Sequence, residues 1–222
     1  MGTIRQGILL MLCLGAFAGA CAADLKGHVA LLNADTALAD TGETVVFFKP
    51  DAAVRVRPLS TVSVVTMQGK SFAPHVLTIT QGSTVRFAND DMILHNVFST
   101  SQGNDFDMGF YGHGAGKSKT FTRPGLVRVY CNVHHEMFAY ILVLDTPYYT
   151  DVGDDGSFEL RNLPAGPGEI TVWNPRSSLW QQHVDSVAAA VVDLKLTLNR
   201  FAVPAHFNKF GKPYDKGANP GY

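Results

Sequence analysis

The sequence is short of cysteine, short of charge and almost without helical periodicity, and each shortage excludes something. Its three cysteines are Cys13, Cys21 and Cys131, the first two confined to the opening residues. A disulfide framework needs paired cysteines along the folded part, so a small cross-linked scaffold is excluded and Cys131 stands alone. A lone cysteine has three uses: a buried inert thiol, a bridge to another chain, or a metal-bound thiolate. Charged residues make up 17% of the chain, 18 Lys and Arg against 19 Asp and Glu, for a net charge of −1. That balance offers no basic footprint for nucleic acid and no polybasic membrane anchor. Beyond the opening residues no apolar run has the length of a membrane-spanning helix, roughly 20 residues, so no transmembrane segment is expected in the mature chain. Gly-x-Ser-x-Gly, a phosphate loop and His-Glu-x-x-His are also missing, which removes common hydrolase, nucleotide-dependent and metalloprotease signatures.

The chain opens with Arg5, an apolar run over residues 7–20, and the small residues Ala18, Gly19, Ala20, Ala22 and Ala23. This is the pattern of an export signal over residues 1–23, with cleavage after Ala20, Ala22 or Ala23 and a mature chain in the periplasm. Lipid attachment at Cys21 is the competing outcome, against which Ala18 stands where a large aliphatic residue is usual. The 222 residues give room for one large domain or two small ones.

Gly and Pro punctuate short β-branched and aromatic runs, which predicts an all-β sandwich. Central strands are expected at residues 63–67, 76–80, 84–88, 118–122, 126–131 and 138–144. Flanking strands are expected at 27–32, 44–48, 157–161, 169–173 and 191–198. In the last of these Val192, Leu194, Leu196 and Leu198 alternate with Asp193, Lys195 and Thr197. Asp155-Gly156 and the 164–168 loop read as hairpin turns between the later strands. The expected organisation is a central sandwich over 61–145 and a small accessory β-sandwich built from 24–60 and 146–199. Residues 200–222 mix Pro, Gly and aromatics without period, as an extended arm or disordered tail.

The chemistry is concentrated in Cys131-Asn132-Val133-His134-His135-Glu136-Met137 and, upstream, His95-Asn96-Val97. Taken singly, Cys131 on a strand face reads as a core thiol and Met137 as packing. Together, one soft thiolate, two imidazoles and a thioether are the donor set of a blue-copper electron-transfer site. Structural zinc sites use four Cys or His ligands, commonly in Cys-x-x-Cys pairs, and the chain offers no such pair. Cys131 ends a predicted strand, and His134 and Met137 follow on a loop tight enough to wrap one ion. His95 then has to arrive from a neighbouring strand end. The candidate metal ligands are therefore His95, Cys131, His134 and Met137. His135 and Glu136 are additional potential ligands, while His75 and His113 are read as surface or hydrogen-bonded histidines. His28, His183 and His206 have no ligand-spaced neighbours and are read as solvated. Asp151, Asp154, Asp155 and Gly156 form a turn that lacks the terminal glutamate of a calcium loop.

Over residues 61–144 the sequence resembles the cupredoxin family. Phe72-Ala73-Pro74-His75-Val76-Leu77-Thr78-Ile79, Gly82-Ser83-Thr84-Val85-Arg86-Phe87, Asn89 and His95-Asn96-Val97 are similar to the plastocyanin and amicyanin pattern. The Cys131, His134, Met137 loop is amicyanin-like in its short length, with Val133 where the Cys-x-Pro-His form has proline. The resemblance implies a Greek-key β-sandwich and one type 1 copper ion held by His95, Cys131, His134 and Met137. It further implies that His134 is the more exposed ligand and the electron's exit, and that Asn96 steadies the ligand loop with its amide near the cysteine sulfur. Gly27-His28-Val29, Thr44-Val45-Val46-Phe47-Phe48 and residues 150–175 resemble the carboxypeptidase-regulatory-like strands of bacterial methylamine-utilisation-like proteins. That likeness implies a copper domain inserted between two pieces of one accessory sandwich. The implied function is a periplasmic one-electron carrier cycling between Cu(I) and Cu(II). It would serve a redox partner such as a c-type cytochrome or a dehydrogenase, docking through apolar neighbours such as Val97 and Phe138. Copper oxidases and nitrite reductases need further His-x-His pairs, absent here, so an enzyme is not expected. Copper sequestration or delivery is the alternative, and a structural β-module without metal the third reading.

Overall fold

The structure is a computed structural model that describes residues 23–32, 43–187, 190, 192–199 and 203–214. Apart from Ala23, the expected export signal lies outside the described residues. Among those residues there are strands and no α-helix, and no helix is long and apolar enough to cross a membrane. The strands begin with β1 (Ala23–Leu32), β2 (Val45–Pro50), β3 (Ser63–Gln68), β4 (Ser71–Ala73), β5 (Val76–Thr80) and β6 (Thr84–Asn89). They continue with β7 (His95–Ser99), β8 (Phe106–Tyr111), β9 (Gly114–Thr120), β10 (Gly125–Tyr130) and β11 (Phe138–Leu144). The last are β12 (Tyr148–Asp151), β13 (Ser157–Leu163), β14 (Gly168–Trp173), β15 (Trp180–Val184) and β16 (Val192–Thr197).

Two sheets enclose the central core, one in the order β5-β11-β10-β7-β8 and the other β4-β3-β6-β9. β5 runs parallel to β11 and β3 parallel to β6, and the remaining neighbours are antiparallel. Strand alternation explains the core. Val127, Val129 and Cys131 point inward with Val65, Phe87, Val97 and Ile141, while Tyr130 joins Phe98 and Tyr140 on the opposite face. Fully burying each large apolar side chain contributes roughly 1.5–3 kcal/mol. All seven residues of β11 are buried because both of its faces are covered. Ala139, Ile141 and Val143 enter the central core, whereas Leu142 and Leu144 meet Val45 and Trp173 of the flanking strands.

The flanking segments build a second pair of sheets, β13-β1-β16 and β12-β2-β14-β15. Their core contains Leu25, Val29, Phe48, Leu160, Ile170, Val192 and Leu196. Strands from before and after the central sandwich pair in each sheet: β1 pairs with β13 and β16, and β2 with β12 and β14. The two turns expected as hairpins are corners instead. β13 lies in one sheet and both β12 and β14 in the other, so the Asp155-Gly156 turn and the 164–168 loop each carry the chain between sheets.

β7 and β8 were not expected as strands. β7 shows no alternation because all five residues are buried, including the polar His95, Asn96 and Ser99. β8 carries Gly109 at φ 69° and faces β7 across a register shift. Both irregularities sit beside the ligand loop.

Candidate metal centre

The pairing of β7 with β10 positions the site. Phe98 faces Tyr130 in an antiparallel register, so the start of β7 lies alongside the loop that follows β10. His95 thereby meets Cys131, with Nδ1 3.8 Å from Sγ. His134 Nδ1 lies 4.0 Å from the same sulfur and 3.1 Å from His95 Nδ1. These three ligand atoms all fall within 4.8 Å of one another. His95 and Cys131 are fully buried, whereas His134 is partly exposed, the more accessible of the two imidazoles. The loop closes at its neck through the Cys131 N–H donating to the Met137 carbonyl at 3.1 Å and the Met137 N–H donating to the His134 carbonyl at 3.0 Å. Met137 is buried in the same apolar cluster as Cys131.

The other candidates stand apart from this trio. The His135 ring packs on Tyr214 at 3.6 Å, and Glu136 and His113 are exposed. His75 is paired with Glu43 at 2.5 Å and edges onto Phe138. Among the described residues, His95, Cys131 and His134 are the group of donors close enough to hold a metal ion.

The central sheets, with their two parallel pairs and a donor-bearing loop between β10 and β11, decide the fold. The central sandwich is cupredoxin-like. Among solved structures the chain is similar to the copper-containing nitrite reductase of Thermus scotoductus SA-01, at 30% identity over 54% of this chain and 28% of the reductase, with a TM-score of 0.38. A purple cupredoxin from Nitrosopumilus maritimus matches at 21% identity over 37% of this chain and 99% of its own, with a TM-score of 0.34. Amicyanin from Paracoccus versutus matches at 22% identity over 40% of this chain and 92% of its own, with a TM-score of 0.35. The chain thus spans about a quarter of the reductase and nearly all of the two small proteins. No protein-family model matches the chain, and no curated protein does.

Within this cupredoxin-like sandwich the electrostatics favour a thiolate between two imidazoles. Burial pushes the Cys131 thiol up, but the His95 hydrogen bond and the backbone N–H groups of Asn96, His134 and Val133 outweigh it and hold the thiol below its ordinary range. Burial likewise pulls His95 down, yet hydrogen bonds and charge from Cys131 and Asp91 raise it overall. His134 is lowered by burial and by its positive neighbours, His95 first, so its imidazole stays neutral to lower pH.

Asp91 is the functional residue that the sequence did not reveal. Its Oδ2 accepts the His95 Nε2–H at 2.8 Å and the Lys70 N–H at 2.9 Å, while Oδ1 accepts the Gly69 N–H at 2.7 Å. A carboxylate on Nε2 fixes the imidazole tautomer and aims the Nδ1 lone pair at Cys131 and His134. Asn89 shapes this loop, accepting the Asp91 N–H on its Oδ1 at 3.0 Å and donating from Nδ2 to the Ile93 and Tyr111 carbonyls. A spacing of four residues signals contact only on a helix, so nothing in the pattern linked Asp91 to His95.

Asn96 does place its backbone N–H on the Cys131 sulfur. Its side chain turns to β8 instead, donating to Asp107 Oδ1 at 2.7 Å and to the Gly109 carbonyl at 3.1 Å. The apolar neighbours expected to form a docking patch are not at the surface: Val97 is 0% and Phe138 6% exposed. Met92, Leu94 and Phe110 are the large apolar side chains that reach solvent on the loop before His95 and on β8.

Proposed function

We propose that His95, Cys131 and His134 bind one copper ion, with Met137 as a weak fourth ligand, and that the protein is a type 1 copper electron carrier of the periplasm. The observation that carries this reading is the meeting of one thiolate and two imidazole nitrogens within 4.8 Å. Those donors suit copper, and copper held there supplies a one-electron Cu(I)/Cu(II) couple. Cys131 supplies a sulfur already stabilised as thiolate by backbone N–H groups, and Asp91 holds the His95 ring in place. The dry core around Val97, Phe121 and Ile141 excludes water and resists rearrangement. His134, partly open to solvent, offers the edge through which a c-type cytochrome or a dehydrogenase would exchange an electron. The absence of any His-x-His pair supports a carrier rather than an enzyme. In this reading the central sandwich, residues 61–145, is inserted into an accessory sandwich formed by 24–60 and 146–199.

Stopped-flow mixing of the copper-loaded protein with a reduced c-type cytochrome tests the carrier role. One electron per copper should pass reversibly while the metal stays bound. Metal passing to a chelating acceptor without any electron exchange would replace the carrier by copper delivery.

Asp91 also sets a pH dependence. Copper binds His95 and His134 only in their neutral forms, so protons compete with it. Against the lowering effect of burial, His95 is raised first by its hydrogen bond with Cys131 and next by Asp91, so copper affinity should begin to fall at a pH above the ordinary imidazole range. Asp91→Asn removes that contribution, moving the onset to lower pH while weakening binding at high pH by about 10- to 100-fold. Chelator competition between about pH 5 and 8 reads both effects; an onset unmoved in the variant contradicts the role given to Asp91.

A further inference from the structure

Residues 203–214 lie across the outside of the ligand loop. Their anchor is Lys209, whose side chain is only 12% exposed although lysine is among the least buried residue types. Its Nζ donates to Asp107 Oδ2 at 2.8 Å and lies 4.9 Å from the ring centre of Phe110 and 5.2 Å from that of Phe210. Taking an ammonium out of water is costly unless it is paired, so this placement is specific. The other oxygen of Asp107 accepts from Asn96, the neighbour of His95. The backbone N–H of Lys209 donates to Asn132 Oδ1 at 3.0 Å, and Asn132 is the neighbour of Cys131. One arm residue therefore fastens the chain just beyond two of the three clustered donors.

Aromatic rings extend the contact. His206 stacks on Tyr130 with ring centres 3.9 Å apart and planes 9° apart, and Tyr214 packs on His135 at 3.6 Å. The arm thus touches the residues before and after Cys131 and the residue after His134. Within the loop two backbone hydrogen bonds at its neck and the buried Met137 resist opening, and the arm adds contacts from outside.

We propose that residues 203–214 are a clamp that holds the metal loop shut, with Lys209 as its positioning residue. The clamp consists of contacts within the chain and needs no metal; its consequence, slow loss of copper, rests on the copper reading above. The test uses the metal-free full-length protein beside a chain ending at Asn199 and a Lys209→Met variant. Peptide-resolved hydrogen exchange and iodoacetamide labelling of Cys131 are followed by mass spectrometry, which keeps Cys13 and Cys21 separate. Truncation should speed labelling and loop exchange by at least about tenfold, with a smaller change in the same direction for Lys209→Met, confined to residues 95–97 and 131–137. Unchanged rates in both variants overturn the clamp. So does acceleration spread over the strands of both sandwiches, which would make the arm a general stabiliser. In the copper-loaded proteins, transfer to a chelator should accelerate in parallel. A full-length chain that takes up no copper would defeat the copper reading, and the labelling rates would still decide the clamp.

Discussion

Cys131→Ser is expected to abolish the intense visible absorption of the copper-loaded protein and to weaken copper binding by at least about 100-fold, since losing a ligand exceeds the loss of its supporting hydrogen bonds. A hydroxyl is neither soft nor ionised at neutral pH, so the strong coupling between sulfur and metal disappears with the sulfur. The surroundings make this position distinctive: Asn96, Val133 and His134 aim backbone N–H groups at the sulfur, and His95 lies 3.8 Å away. Serine is close in size, so the fold should persist and circular dichroism should match that of the parent chain. Visible spectra and chelator competition on the two proteins check the result; an unchanged spectrum means that the sulfur is not a ligand.

Gly116→Ala is expected to cost about 3–5 kcal/mol of folding stability, read as a lower urea midpoint. Gly116 sits in β9 at φ +73°, and a Cβ there would lie 1.6 Å from the carbonyl oxygen of Phe87 and 2.9 Å from the Cα of Ala88. These are backbone atoms, and Phe87 cannot yield easily because its ring is fully buried and its carbonyl accepts the Tyr111 hydroxyl at 3.0 Å. The β6–β9 ladder shifts register at this point, between Phe87 and Asn89. Displacing it also disturbs Asn89, which holds the Asp91 loop, so copper affinity should drop along with stability. Gly69→Ala is the control, at φ +60° with nothing within 4 Å of the added Cβ, and should cost only about 1 kcal/mol. Equal costs at the two positions would show that backbone conformation, not the clash, decides them.

Much of this site was legible because the relevant pattern is local. Val127, Val129 and Cys131 alternate toward one face, and His134 and Met137 follow at loop spacing, so the donor-bearing turn could be read without knowing its neighbours. His95 was legible as a donor type, but its strand was not, since the buried polar residues of β7 erase the alternation that marks a strand. Asp91, Lys209 and Asp107 escaped for another reason. Their partners are fixed by the crossing of loops, which carries no periodic trace. Turn chemistry had the same limit: Asp155-Gly156 and the 164–168 loop mark where the chain bends, but not whether it returns to the same sheet. Phe138 illustrates a third. Alternation separates two faces of a strand without saying what covers the outer one: the His75 ring edges onto Phe138, and Trp173 and Val203 pack against the cluster that Phe138 shares with Tyr140.

Titration of the metal-free protein with Cu(II), followed by visible absorption and electron-spin resonance, tests the proposed coordination of one copper by His95, Cys131 and His134 most directly. An intense thiolate-to-copper band that grows in proportion to added metal and stops at one equivalent is the expected result. A weak spectrum without that band, or one still growing beyond one equivalent, contradicts a single copper held by these side chains.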